Sequence, residues 1–406
     1  MAKKYSAEIL FIVFILAGMA FFSNAKFQSP PTSLPTADIQ EEKKDTLLHK
    51  NLKNELSNLL HHKHRLGFNG TLLVGIDNDI IINEGLGFED YRNRDSISNK
   101  TMYQIGSVTK QFTATAILQL YARGKLALTD SINKFFPHLP YQGFTIHQLL
   151  VHRSGLSNYV YFIDKLITDK SQLISNDDVI ALWKEHEPVP YYPPGRRYDY
   201  SNSGYMLLAS IIEKVSGMSY PEYMQKNIFE PLGMQNTLTY TYNKTDTLAH
   251  LAKGYNYRWN VATEAYLNGT YGDKGIYTTA EDLFKWDQGL YSNILMDTDT
   301  LKLAFRPMGK PQHYKHNYGY GWRMFERKNE KVYYHAGWWQ GFKSLLIRVP
   351  KYKLTIVVLK NTKTGAMLGR QELLRVIIDH HLTKWEELSI HELPQFARCI
   401  MPDAIT

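Results

Sequence analysis

The sequence predicts an α+β fold: an antiparallel sheet flanked by helices, with a mostly helical domain inserted in it. Two early segments, Thr71–Ile76 and Ile80–Asn83, alternate or run apolar across the turn Asp77-Asn78-Asp79 and read as a strand pair. Three late segments, Lys331–Tyr334, Ser344–Val349 and Leu354–Leu359, read as strands again, the last two joined as a hairpin through Pro350-Lys351-Tyr352. Between them the apolar residues recur at helical spacing. Strands at both ends with helices between imply a sheet split in sequence. The expected limits are 41–105 and 270–385 for the sheet domain, and 106–269 for the helical one.

The N-terminus is a different kind of segment. Lys3 and Lys4 precede an apolar run from Ile9 to Phe22, and Ser23-Asn24-Ala25 follows with small residues at a peptidase site. Residues 1–25 read as an export signal, with an uncleaved anchor as the alternative; the run is short for a span of about 20 residues. Phe27 to Ile39 is rich in Pro, Ser and Thr, and 26–40 reads as a linker. From Glu41 the spacing of Leu48, Leu52, Leu56 and Leu59/Leu60 is helical, and Gly67 stops it. His61-His62-Lys63-His64 places positive charge at that helix C-terminus.

The single cysteine, Cys399, excludes an intrachain disulfide and multi-cysteine metal sites. Export without disulfides points to a bacterial periplasm or cell surface. With 44% hydrophobic residues the chain can bury a large core, and its net charge of +8 comes with no nucleic-acid motif. Further helices are expected at Thr145–His152, after Asn176-Asp177-Asp178, at Gly204–Ser216, from Tyr220, and at Leu368–Leu382. The tail 386–406 carries no signal.

The chemistry concentrates at Gly106-Ser107-Val108-Thr109-Lys110, which opens a helix whose apolar residues nearly encircle it. Residues three apart share a helix face, so Lys110 lies beside the Ser107 hydroxyl. Burial drives a lysine toward its neutral form, able to take the serine proton, and the helix start favours an oxyanion. The alternative for Ser107 is a helix cap. The same spacing occurs at Ser131-Ile132-Asn133-Lys134, with no buried helix behind it, and reads as a solvated turn.

Acyl transfer also needs a second proton carrier and oxyanion donors. Tyr200-Ser201-Asn202 follows the rigid Pro193-Pro194-Gly195. A tyrosine near an ammonium has its phenolate favoured, and Asn202 can accept from lysine while donating to substrate. His335-Ala336-Gly337 is expected just after the Lys331–Tyr334 strand. There Gly337 would let substrate approach the backbone, and the Trp338 amide would join that of Ser107 as oxyanion donor.

These three motifs, in this order, resemble the penicillin-recognising serine hydrolases, in which Ser-x-x-Lys is a known signature. Leu149–Leu156, Pro194-Gly195, Pro231-Leu232-Gly233-Met234 and Gly319-Tyr320-Gly321-Trp322 extend the likeness over Gly67 to Leu382. The branch resembled holds class C β-lactamases, DD-peptidases (carboxypeptidases) and esterases. The resemblance implies a DD-peptidase/β-lactamase-like fold with the site between sheet and helical domain. It implies acylation of Ser107, proton handling by Lys110 and Tyr200, and Asn202 positioning Lys110 and the substrate amide. Protonated His335 would meet a substrate carboxylate, and Ala336, Gly337 and Trp338 would line the substrate. No cofactor or metal is implied. The partners implied are a small-molecule or peptide substrate and the cell wall.

The third motif begins with histidine where class C β-lactamases usually carry lysine. Histidine is only partly charged at neutral pH, which favours a peptidase or esterase over a β-lactamase proper. A penicillin-binding sensor acylated without turnover is the third reading. No Gly-x-Ser-x-Gly elbow and no His-Glu-x-x-His occurs, which disfavours an α/β-hydrolase and a zinc hydrolase.

Overall fold

The computed structural model describes residues 36–240, 248–262, 266–308, 317–327 and 329–382. The export signal, most of the linker, the tail and Cys399 lie outside them. The chain divides into two units, 1–49 and 50–406. Helix α1 (Thr36–Arg65) starts five residues before Glu41, inside the stretch read as linker. Leu52, Leu56 and Leu60 on α1 are fully buried.

The sheet has six antiparallel strands: β1 (Gly70–Ile76), β2 (Asp79–Leu86), β3 (Arg323–Arg327), β4 (Glu330–Trp339), β5 (Phe342–Val349) and β6 (Leu354–Lys360). Their order is β2-β1-β6-β5-β4-β3, so the early pair joins the late strands through β1 and β6. The central strands read as unbroken apolar runs because both faces are covered. Leu72, Val74, Leu345, Ile347, Ile356 and Val358 pack with α1 and the C-terminal helix α7 (Arg370–Leu374). Their neighbours Leu73, Leu346, Val357 and Leu359 pack into the helical core on the other side. That period of two is the pleat itself.

Two strand expectations need correction. β4 runs through Trp339, so His335-Ala336-Gly337 lies inside a strand. Strand β3 was not foreseen. It is a sheet edge rich in charge, Arg323-Met324-Phe325-Glu326-Arg327, a composition that discourages edge-to-edge pairing and hides a strand from apolar patterning.

Helices follow β2: α2 (Thr109–Ala122), α3 (Tyr159–Leu166), α4 (Asn176–His186), α5 (Asn202–Ser216) and α6 (Ala280–Gly289). Helix α2 is central, with every residue from Thr109 to Leu120 buried. The α4 cap is Ser175, with Asp178 closing a reciprocal capping box, one residue before the expected Asn176.

Candidate active site

Ser107 sits in a 3-10 turn, Gly106–Val108, that feeds directly into α2. First-turn amides have no intrahelical partner, so the Ser107 N–H faces outward at the helix start. Ser107 is half-buried and Lys110 wholly buried. The Lys110 Nζ reaches Ser107 Oγ at 3.1 Å, Asn202 Oδ1 at 2.9 Å and the Asp273 carbonyl at 2.9 Å. Three oxygens match the three positions of an amine nitrogen. Burial pulls Lys110 from 10.5 down to about 7; Asp273 works against that fall and Arg323 adds to it. In the neutral amine, two N–H groups stay with Asn202 and Asp273, and the lone pair is left for the Ser107 proton.

The Tyr200 loop is held by backbone bonds to the segment Leu149–Leu156. Asp199 N donates to the His152 carbonyl at 2.8 Å, and Gly195 N to that of Arg153 at 2.8 Å. Asn202 begins α5, which fixes its amide toward Lys110. The Tyr200 ring centroid is 5.1 Å from Lys110 Nζ. Tyr200 is half-buried. Desolvation raises its pKa, and a hydrogen bond to Ser107 offsets only part of the rise. The expected phenolate is therefore corrected: Tyr200 stays a phenol, because burial disfavours the charged form.

His335 is also corrected. It is 1% exposed, with Nε2 2.9 Å from the Tyr318 hydroxyl and Nδ1 2.8 Å from the Ala336 carbonyl. A carbonyl only accepts, so Nδ1 carries the proton, and Tyr318 donates to Nε2. Burial first, then the Arg323 and Lys110 charges, hold its pKa well below 6.5. His335 is a neutral, bonded core residue and cannot greet a carboxylate as a cation.

The backbone near His335 has another use. β3 pairs with β4 only as far as Arg323↔Tyr334, so the β4 edge is unpaired by β3 beyond it. The β4–β5 hairpin closes over Gln340 and Gly341, at φ 42° and 85°, as a two-residue turn. Antiparallel alternation then turns the Trp338 N–H away from β5, toward the 3-10 turn. A Cβ on Gly106, itself at φ +50°, would lie 2.8 Å from the Trp338 nitrogen. A Cβ on Gly337 would lie 1.9 Å from the Ile105 carbonyl. Gly337 thus admits the turn that carries Ser107, where sequence reasoning expected substrate. Ala336 and Trp338 are exposed, Trp338 at 57%. Trp339 is half-buried and donates through Nε1 to Asn268 Oδ1 at 2.6 Å.

Several residues escaped the sequence reading. Arg323 is half-buried and lies 5.1 Å from the Tyr200 ring centroid and 5.7 Å from that of Tyr318. Among the described residues no carboxylate pairs with it; burial lowers its pKa, and the surrounding tyrosines outweigh that and leave it raised. It is the standing cation of the site. His152, at 1% exposure, has its ring 4.2 Å from Tyr200 and 4.6 Å from Tyr318. Its Nδ1 accepts from Ser201 N at 3.3 Å. Asp273 supplies the carbonyl for Lys110. Adjacent Gly-x-Gly-Trp and Leu-x-His motifs were the only signals for Arg323 and His152.

The comparisons with known proteins concern the family and the fold. The family described as Beta-lactamase matches residues 53–378. Penicillin-binding protein 4* of Bacillus subtilis is 32% identical over 74% of this chain and 69% of its own. A putative penicillin-binding protein of the same species is 31% identical over 82% and 80%. Among solved structures, an octameric penicillin-binding protein homologue from Pyrococcus abyssi superposes with TM-score 0.67 at 28% identity, covering 76% of this chain and 73% of that one. A D-amino acid amidase from Ochrobactrum anthropi gives 0.67 at 22% identity over 84% and 99%, a likeness of fold alone. The α+β architecture is the β-lactamase/transpeptidase-like fold, and the chain belongs to the Beta-lactamase family of serine hydrolases.

Proposed function

We propose that this protein is an exported hydrolase that forms an acyl-enzyme on Ser107 and cleaves amide or ester bonds of D-Ala-type peptides, esters or β-lactams. The observation that carries it is the buried Lys110 amine, bound to Ser107 Oγ, Asn202 and the Asp273 carbonyl, with its pKa near 7. Neutral Lys110 takes the Ser107 proton as Oγ attacks the carbonyl carbon. The Ser107 and Trp338 amides receive the oxyanion. The proton passes to the leaving group by way of the Tyr200 phenol, and water then hydrolyses the ester on Ser107. A substrate carboxylate is met by Arg323, the role sequence reasoning gave to His335. The names of similar proteins, penicillin-binding proteins and a D-amino acid amidase, favour D-configured acyl groups. Export rests on the apolar run Ile9–Phe22.

Labelling with a fluorophosphonate and with a fluorescent penicillin tests the reading. Ser107→Ala is expected to abolish both adducts, and labelling that survives would mean another nucleophile. Followed by mass, rapid loss of the penicillin adduct would mark a β-lactamase proper, and a permanent adduct a sensor. Turnover of D-Ala-D-Ala peptides or p-nitrophenyl esters through the Ser107 adduct is the expected result.

A further inference from the structure

Behind Lys110 lies a second charged cluster that the proposed acyl transfer leaves unused. Asp273 and Lys274, 2% and 3% exposed, sit in the loop between Gly269 and Ile276. The Tyr159 hydroxyl is 3.2 Å from both Asp273 carboxylate oxygens. Lys274 Nζ donates to the Tyr159 hydroxyl at 2.8 Å and to Thr270 Oγ1, and stands 3.5 Å from Asp273 Oδ1. It also lies 4.7 Å from the Trp339 ring centroid.

The loop has little room to drift. Thr113 Oγ1 donates to the Gly272 carbonyl at 2.7 Å, and Tyr271 N to Asn176 Oδ1 at 2.9 Å. A Cβ on Gly272 would lie 2.2 Å from the Tyr205 carbonyl. A buried ion pair is costly to desolvate and is weak evidence of stabilisation. This one is fixed beside the amine that has to change charge during the reaction, and its own backbone carbonyl binds that amine at 2.9 Å.

We propose that Asp273 and Lys274 are positioning residues that set the protonation state of Lys110, and through it the pH at which Ser107 becomes a nucleophile. This rests on the reading of Ser107 and Lys110 as the acylating pair. The groups facing Lys110 are Ser107 from the 3-10 turn, Tyr200 from its loop, Asn202 and Tyr205 from α5, His152, Arg323 from β3, His335 from β4, and Asp273 with Lys274. Among these Asp273 is the one carboxylate. The histidines are neutral by burial, so Arg323 and Lys274 are the cations. Burial first, with the Lys110 charge and against the pull of Asp273, brings Lys274 itself down to about 8.

The sign follows from the role of the base. Acylation rises as pH passes the Lys110 pKa and the amine loses its proton. Removing the Asp273 charge destabilises the ammonium and moves that limb to lower pH. Removing the Lys274 charge moves it to higher pH. The test is the fluorophosphonate labelling rate of the full chain from about pH 5 to about pH 10, the range spanning a lysine shifted by burial. The variants are Asp273→Asn, Lys274→Met and the double substitution, with Ser107→Ala as the control. Single-charge neighbours predict shifts of about one pH unit: acid for Asp273→Asn, alkaline for Lys274→Met, and near-cancellation in the double variant. Equal midpoints in all variants, with only the rates changed, would overturn the inference and leave the acylating pair standing. Labelling that survives Ser107→Ala would instead overturn that pair, and the inference with it. If Asp273→Asn does not fold, as judged by circular dichroism, Lys274→Met decides alone: an alkaline shift supports the inference and an unmoved midpoint overturns it.

Discussion

The described residues contain the Ser-x-x-Lys spacing twice, and the two copies behave differently for reasons outside the motif. At Ser107–Lys110 the amine is wholly buried, and three oxygens at 2.9–3.1 Å surround it. At Ser131–Lys134 the lysine side chain is 55% exposed and pairs with Asp130 at 2.8 Å. The Ser131 hydroxyl there accepts from Asn133 N as a cap of a short 3-10 turn. Spacing alone brings a hydroxyl and an amine to one face. Desolvation turns the amine into a base, and it comes from α5, the loop around Asp273 and the helix core, all remote in sequence.

The largest separation of the two copies is expected from the lysines. Lys110→Met, close in volume, should slow fluorophosphonate labelling by about 10²–10⁴, the span of general-base effects, while Lys134→Met should leave it unchanged. In the wild type the labelling rate should climb through about pH 7, where Lys110 loses its proton. Stability carries the opposite face of the same shift. Because the folded pKa is depressed from 10.5 to about 7, the unfolded chain binds the extra proton between those values. Lys110 therefore opposes folding most at acid pH, and its contribution improves as pH rises from about 7 toward 10.5. Lys110→Met should raise the melting temperature at pH 6, with the gain shrinking at pH 10. A melting point that falls equally at both pH values would mark Lys110 as a structural residue.

The second effect concerns a charge that only the folded site has. Arg323→Gln should raise KM for substrates bearing a carboxylate by roughly tenfold or more, the scale of a charge-assisted hydrogen bond. KM for a neutral p-nitrophenyl ester should hardly move. Equal losses on both substrates would show that Arg323 supports the tyrosine cluster and does not bind the anion.

What could be read from the sequence follows the same division. The central strands were legible because burial on both faces makes β1, β5 and β6 continuous apolar runs. Ser107 and Lys110 were legible because helical spacing places them. Charge states were not, since each depends on neighbours brought in by folding. Tyr200 looked like a phenolate beside an ammonium, yet both groups are desolvated together. His335 looked like a cation on a strand end, yet β4 continues past it and Tyr318 closes over its ring. Arg323 was hidden by an edge strand whose polar composition gives no apolar signal. Asp273 was hidden for a simpler reason: its contact with Lys110 is a carbonyl, which any residue type could supply.

The smallest expected effect lies in the second copy. Ser131→Ala removes an N-cap hydroxyl, a loss of about 1 kcal/mol, which in a chain of this size lowers the melting temperature by about 1–2 °C. Neither the labelling rate nor its pH midpoint should change, because Lys134 is solvated and held by Asp130. The measurement is useful because Ser107 also opens a helix, where a cap role was the competing reading. The N-cap positions are Ile105 for the 3-10 turn and Val108 for α2, so Ser107 is neither, and its hydroxyl is bonded to the Lys110 amine instead. Ser107→Ala should therefore leave stability near that of the wild type while removing all labelling, the inverse of Ser131→Ala. If the two alanine variants lost stability alike, Ser107 would be serving the helix as well as the chemistry, and the contrast between the copies would be one of degree.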